Sequence, residues 1–289
     1  MSASVDLRLK LLAAITRCLP LGGERVLNLF FDRDQGEDVA FSSAFFGQVY
    51  DGNLTDYIDQ SVFFFGAYCP EELLAIRDVL SAARQRRGRP VTYYDIGANV
   101  GHHAVFASAH ADRVLAFEPV EALRAKIADK VERNRIANIE VFPVALSDTE
   151  GEAKFYLPQG SNQGGGSLMR VNANREDRFT MVPVRRGDAF IAERDLPPLD
   201  VVKIDVEGNE ARVLDGLKES LLRDRPVVLL ELSPSGREVF GDEAGFRGRL
   251  YPDHHIYEVL PRRGGRGYKL GTFSFARSVE ILIAPAELP

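Results

Sequence analysis

The residues best placed to do chemistry gather in the stretch "YYDIGANVGHHAVFA", Tyr93 to Ala107, which runs from apolar residues into an acid, three small-residue steps and an apolar helical pattern. Gly97 permits a backbone geometry that a side chain forbids, and Gly101 lets the next helix approach the strand or a ligand. In an open parallel sheet such a turn is the usual ligand cradle. Two adenosine-bearing ligands compete for it. A dinucleotide sets its pyrophosphate on a helix N-terminus free of acids and marks the turn G-x-G-x-x-G. Here Gly97, Asn99 and Gly101 follow Asp95, so the three-glycine pattern is not met. S-adenosylmethionine (SAM) carries an ammonium and a sulfonium and is helped by a carboxylate at that place. Glu118, in "LAFEP" and followed by Pro119, falls 17 residues after Gly101 at the end of the next strand. A carboxylate there accepts the ribose hydroxyls of either ligand, so it supports adenosine without choosing between the two.

A second set of acids lies in "KIDVEGNE". Asp205 and Glu207 occupy alternate positions at a strand end and share one side if strand geometry persists. Glu210 lies on the following helix and Glu231 ends the run "LLELSP". Such carboxylates suit the removal of a proton from a hydroxyl, which is a weak nucleophile near neutral pH. The competing roles are a cap on the helix beginning near Gly208 and an ion pair with Lys203. Two or three carboxylates in one crevice also suit Mg²⁺, but no decisive metal pattern is present and metal-free chemistry is expected. His102 and His103 follow the glycine turn directly, so one is expected to enter the cleft while the other packs. An imidazole there needs little tuning to act as a base, and His102 ranks below the two carboxylates. His254 and His255 receive no role. The glycine-rich "GSNQGGGSLMR" fits either a mobile cover over substrate or a plain surface loop.

The elements that must position these residues show in the hydrophobic pattern. "VTYYDIG", "RVLAFEP", "IEVFPVALSD", "LDVVKIDVEG" and "PVVLLELSP" are short apolar strands, separated for the most part by helical stretches near 101–110, 120–136, 208–224 and 236–250. Strands buried on both faces and alternating with helices predict an α/β fold, a doubly wound and mostly parallel sheet. "HHIYEVLP" and "SVEILIAP" have no helix between them and are expected to close the sheet as a C-terminal antiparallel hairpin, seven strands in all. Residues 1–88 form an N-terminal α/β extension with Phe-rich runs, a substrate cover or an oligomer contact. It ends in a helix over "PEELLAIRDVLSAARQRR", and residues 89–289 form the main domain. Leu7, Leu11, Leu12 and Ile15 make one helical stripe, expected to pack on the body.

The 289 residues are 45% hydrophobic and carry 42 acids against 36 bases, a net charge of −6. The bases are scattered, so no nucleic-acid partner is expected; a small-molecule or carbohydrate acceptor fits better. Cys18 and Cys69 stand far apart, which suggests neither a disulfide framework nor a zinc site. The absence of an apolar run of ~20 residues argues against a membrane span. Asp6 and Arg17 make "MSASVDLRLKLLAAITRCLPLGG" a poor secretory signal, so a cytoplasmic protein is expected. A homodimer through the Phe-rich segments is a possibility.

"YYDIGANVGHHAVFA", "VLAFEPV", "FPVALSD", "GGGSL", "VVKIDVEGNEARVLDGL" and "VVLLELSP" stand in the order and spacing of the FkbM-type methyltransferases, which the chain resembles over about residues 91 to 234. The resemblance implies a Rossmann-like class I methyltransferase fold and SAM-dependent methylation, mainly of hydroxyl oxygens. It implies that Asp95, Gly97, Asn99 and Gly101 hold the methionine part of SAM, that Glu118 takes the ribose, that Pro119 belongs to the cofactor site, and that Ala145, Leu146 and Asp148 lie near the adenine. Where members commonly have an aromatic or small residue after the last glycine, this chain has His102 and His103. The competing functions are a nicotinamide-dependent oxidoreductase and a noncatalytic SAM- or nucleotide-binding module.

Overall fold

The computed structural model describes residues 5–19, 22–157, 166–168, 178–262 and 267–285. The chain opens with helices α1 (Leu7–Cys18) and α2 (Gly23–Phe30), the antiparallel hairpin β1 (Ala40–Phe45) and β2 (Gln48–Asn53), and helices α3 (Tyr57–Phe65) and α4 (Pro70–Arg87). α4 has the bounds its sequence predicts. Pro70 occupies its first turn with Glu71 and Glu72, three arginines fill its last turn, and Gly88 caps it at φ +62°, each where the helix dipole and the orphan backbone groups favour it.

The stripe on α1 departs from expectation. Leu9, Leu12, Ala13 and Thr16 are buried, whereas Leu7, Leu11 and Ile15 are exposed. Polar anchors set this rotation. The Thr16 hydroxyl donates to the Phe64 carbonyl at 2.6 Å and Arg17 donates to the Phe63 carbonyl at 2.7 Å, satisfying the otherwise orphaned C-terminal carbonyls of α3. No helix among the described residues is long and apolar enough to cross a membrane.

The main body follows as β3 (Thr92–Ile96), α5 (His102–Ser108), β4 (Arg113–Phe117), α6 (Glu121–Asn134), β5 (Ile139–Phe142), β6 (Ala145–Ser147), β7 (Gly151–Tyr156) and β8 (Phe179–Arg186). It continues with α7 (Gly187–Glu193), β9 (Val201–Ile204), α8 (Glu210–Gly216), α9 (Lys218–Asp224), β10 (Val227–Glu231), α10 (Pro234–Phe240), α11 (Glu243–Arg247), β11 (His255–Pro261), β12 (Tyr268–Thr272) and β13 (Glu280–Ala284). The main sheet has the order β12-β11-β13-β10-β9-β3-β4-β5. The five strands from β10 to β5 run parallel, and β13 enters antiparallel between β10 and β11. The strand order reverses between β3 and β9, so their carboxyl ends frame a crevice.

Among the described residues the sheet has eight strands rather than seven, because the Gly- and Arg-rich connection itself supplies β12, which pairs with β11 at the edge. The run "IEVFPVALSD" is not one strand. It breaks at Pro143, which has no N–H for the ladder, and β6 joins a separate three-stranded sheet of order β6-β8-β7. The stretches 208–224 and 236–250 each form two helices, α8 with α9 and α10 with α11. One core lies on each face of the main sheet: Tyr94, Phe117, Val202 and Leu230 face one, Tyr93, Val114, Val201 and Leu229 the other. A third core joins the N-terminal region to α5, with Phe45, Tyr50 and Phe64 against Val105 and Phe106. Asn134 of α6 locks the hairpin by taking the Val49 N–H and donating to its carbonyl, both at 2.7 Å.

Candidate functional site

A cavity of about 340 Å³ opens at the carboxyl ends of β3, β4 and β9, within the size range of small-molecule sites. Its floor is the glycine turn. Gly97 has φ +87°, and a Cβ built there would stand 1.9 Å from the Asp205 carbonyl, so no other residue fits. The contact exists because Asp205 N–H bonds the Ile96 carbonyl at 3.0 Å and draws the ends of β3 and β9 together. Asn99, at φ +52°, gives its N–H to Glu118 Oε2 at 2.9 Å while Val120 N–H meets Oε1 at 2.8 Å. Glu118 is thereby aimed across the turn. Burial pushes its carboxyl up to about 7 against the pull of those two N–H groups.

Of the residues expected to hold SAM, Gly97, Asn99, Glu118, Pro119, Ala145 and Leu146 line this cavity, and three do not. Asp95 lies behind the wall, 1% exposed. Burial raises it to about 6, opposed by Lys203. Gly101 serves packing, since a Cβ there would lie 2.9 Å from Ile127 of α6. Asp148 is exposed just past β6, 3.7 Å from Arg212.

The acids of "KIDVEGNE" reach the cavity by a different backbone path than alternation. β9 ends at Ile204, and the chain then turns through Glu207 at φ +52° and Gly208 at φ +102°. Glu210 holds this turn, its buried Oε1 accepting the Gly208 N–H at 2.8 Å. Asp205 and Glu207 both line the cavity, as does Glu231 at the tip of β10, and one oxygen from each lies within 4.8 Å of the others. Their charge states differ. Burial alone would raise Asp205, but Lys203 Nζ at 2.7 Å and a hydrogen bond from Glu231 hold it at about 2. The Asp205 charge, then burial, pushes Glu231 up, so the proton these two share resides on Glu231. Glu207 is brought to about 7 by burial first and then by the charges of Asp205 and Glu210. Lys203 is buried and burial opposes its charge, yet Asp205, Glu72 and Asp95 keep it protonated.

The expectation that a histidine enters the cleft is corrected. His102 is 1% exposed, lies 3.0 Å from the Tyr68 carbonyl through Nε2 and sits among Phe45, Tyr50, Tyr68 and His103. Burial holds it well below the ordinary imidazole range. His103 is likewise buried, 3.2 Å from Glu72.

Reasoning from sequence missed the residues that complete the wall. Tyr57, Ile58 and Tyr68 come from the N-terminal region, Phe155 from β7, and Asn209 from the turn before α8. Asn209 stood inside "KIDVEGNE", and Tyr57, Ile58 and Tyr68 inside the N-terminal extension expected as a substrate cover, though not singled out within it; Phe155 had no local signal. Most of "GSNQGGGSLMR" lies outside the described residues. Of it, Gly166 and Leu168 line the cavity, and the Ser167 hydroxyl donates to the Glu207 carbonyl at 2.7 Å.

A parallel sheet closed by an inserted antiparallel strand, with an acid-tipped glycine turn on β3 and a carboxylate on β4, is the class I arrangement of SAM-dependent methyltransferases. The model of the methyltransferase FkbM domain matches residues 95–269, and the chain belongs to that family. Among relatives, it is 28% identical over 152 residues to the hexuronic acid methyltransferase AglP of Haloferax volcanii, covering 52% of this chain and 59% of that protein. It is 25% identical over 181 residues to the 2-O-methyltransferase NoeI of Sinorhizobium fredii, covering 58% and 70%. A third relative is the AMB antimetabolite synthetase AmbE of Pseudomonas aeruginosa, 26% identical over 215 residues, 62% of this chain and 10% of that much longer protein. The chain thus spans a tenth of one of these relatives and under two thirds of another.

Proposed function

We propose that this protein transfers a methyl group from SAM to a hydroxyl of a small sugar-like acceptor, with Glu207 as the base. The observation that carries the reading is the meeting, in one cavity, of Glu118, Gly97 and a carboxylate with a pKa of about 7. The residues suit the cofactor: Glu118 offers a buried carboxylate to the ribose, the Gly97 turn leaves room for the methionine portion, and Ala145 and Leu146 give the adenine an apolar wall. When bound, SAM supplies a methyl group already activated by its sulfonium. The chain's own task is alignment, worth up to ~7–11 kcal/mol in such reactions, and removal of one proton. In this reading Glu207 accepts the hydroxyl proton as the oxygen attacks, because a base is most useful with a pKa near the working pH. Asp205, ionised and tied to Lys203, is too weak a base for that step and instead fixes the electrostatics of the turn.

Among the described residues the wall carries four carboxyl groups, with Asp205 ionised, and no Lys, Arg or His side chain. A uronic acid acceptor would bring its carboxylate there unpaired, so a neutral or amino-bearing sugar is the better fit, even though AglP is by name a hexuronic acid enzyme. Tyr57, Ile58 and Tyr68 form the acceptor side of the cavity in this proposal.

A second reading draws on the closeness of Asp205, Glu207 and Glu231, which are hard oxygen donors suited to Mg²⁺. One assay separates the two. Transfer of labelled methyl from SAM is measured to methyl glucoside, methyl glucosaminide and methyl glucuronide, with EDTA and with Mg²⁺. Transfer that persists in EDTA and is weakest to the glucuronide supports the metal-free base; activity that only Mg²⁺ restores would make the three carboxylates ligands.

A further inference from the structure

Asn209 is the N-cap of α8, a position where asparagine normally turns its side chain back to cap the helix. It does not do so here. No side-chain cap bond forms, the residue is 4% exposed, and its Nδ2 has no hydrogen-bond partner among the described residues. A buried amide donor left unmet is costly and calls for an explanation. Asn209 lines the cavity, and on its other side lines a smaller cleft with Ser147 and Leu168. This places it on the β6 side of the cavity, whose wall also includes Leu146. Its position there is fixed, because α8 sits on β6 so closely that a Cβ at Gly216 would lie 1.9 Å from the Ser147 carbonyl.

Resting on the cofactor reading above, we propose that Asn209 reads the adenine ring of SAM, its Nδ2 donating to one of the ring nitrogens. Adenine offers N1, N3 and N7 as acceptors, and a carboxamide is a natural donor to them. Ala145 and Leu146 give the ring an apolar surface that is indifferent to which flat heterocycle lies on it. A donor on the same side converts that surface into a site that recognises adenine. Because Asn209 caps nothing, its replacement leaves the helix start intact.

The test uses the full chain, wild type and Asn209→Leu, and calorimetric affinities for S-adenosylhomocysteine (SAH) and its 1-deaza, 3-deaza and 7-deaza analogues, each lacking one ring acceptor. Wild type is expected to bind one of the three analogues about tenfold more weakly than SAH, as loss of one hydrogen bond implies. The variant is expected to bind SAH about tenfold more weakly, and to bind that same analogue as well as it binds SAH. This double-mutant pattern isolates the contact, whereas a merely structural role would weaken all four ligands alike. A variant that binds SAH within twofold of wild type, or that keeps the wild-type preference among the four ligands, overturns the inference. If wild type binds none of the four, the cofactor reading falls, and this inference with it.

Discussion

At the scale of single residues, Glu207 and Glu118 are two carboxylates in one cavity with similar proton affinity and different expected work. Replacing Glu207 with Gln is expected to lower the single-turnover methylation rate ~10²–10⁴-fold with SAM saturating, while SAH affinity is roughly kept. The pH dependence has a definite sign. Glu207 is a base only when deprotonated, so the wild-type rate should climb through pH 7, near its value of about 7, and level off above it; the Gln variant should lose that limb. Glu118→Ala is expected to act on binding, removing a charge-assisted bond worth ~1.5–3 kcal/mol. Calorimetry showing unchanged SAH affinity would remove Glu118 from the ribose.

At the scale of elements, the turn between β9 and α8 is held in a left-handed path by Glu210, which is fully buried and bonded to Gly208 N–H. Glu210→Ala leaves that N–H without its partner, a loss of ~1–3 kcal/mol, and frees the backbone that carries Glu207. Thermal melting should show the destabilisation, and the methylation rate should fall further than SAH affinity. Much of this architecture was legible. The dipole-matched ends of α4, the acid before the Gly97 turn and the carboxylate closing β4 are local patterns, and local patterns survive in sequence. Illegible features depend on contacts between distant segments. Pro143 diverts β6 into another sheet, but nothing nearby says that β8 waits to receive it. The rotation of α1 is set by carbonyls of α3, some 45 residues along the chain. His102 was expected beside a cofactor, yet the aromatic box that encloses it is built largely from β1 and β2.

At the scale of the molecule, the acid-rich strand ends impose a pH dependence on stability. Glu72, Asp95, Glu118 and Glu207 all have carboxyls raised to between about 6 and about 7, above their values in an unfolded chain. Between the unfolded and folded values the native state binds more protons, so stability falls as pH rises through that window. The lowered His102 and His103 act in the opposite direction, but only below about pH 6.5, where histidines of the unfolded chain take up protons. From pH 6.5 to 8 the carboxylates act unopposed by them. The melting temperature of the ligand-free protein is therefore expected to drop across that interval, and a flat or rising trend in calorimetry would contradict the buried charge states assigned to the site.

The stretch that defines the family runs over residues 95–269, while Tyr57, Ile58 and Tyr68 of the cavity wall precede it. Inheritance of the cofactor half and of this wall is therefore separable. On the proposed reading, in which this wall meets the acceptor, two members of the family can keep the same glycine turn and the same carboxylates and still diverge in that segment, with no trace of that divergence inside the shared stretch. If the proposed wall holds the acceptor, kinship over residues 95–269 is a guide to the donor of the methyl group and a poor guide to its recipient. A graft of residues 57–68 between relatives is the smallest exchange that would move one without the other.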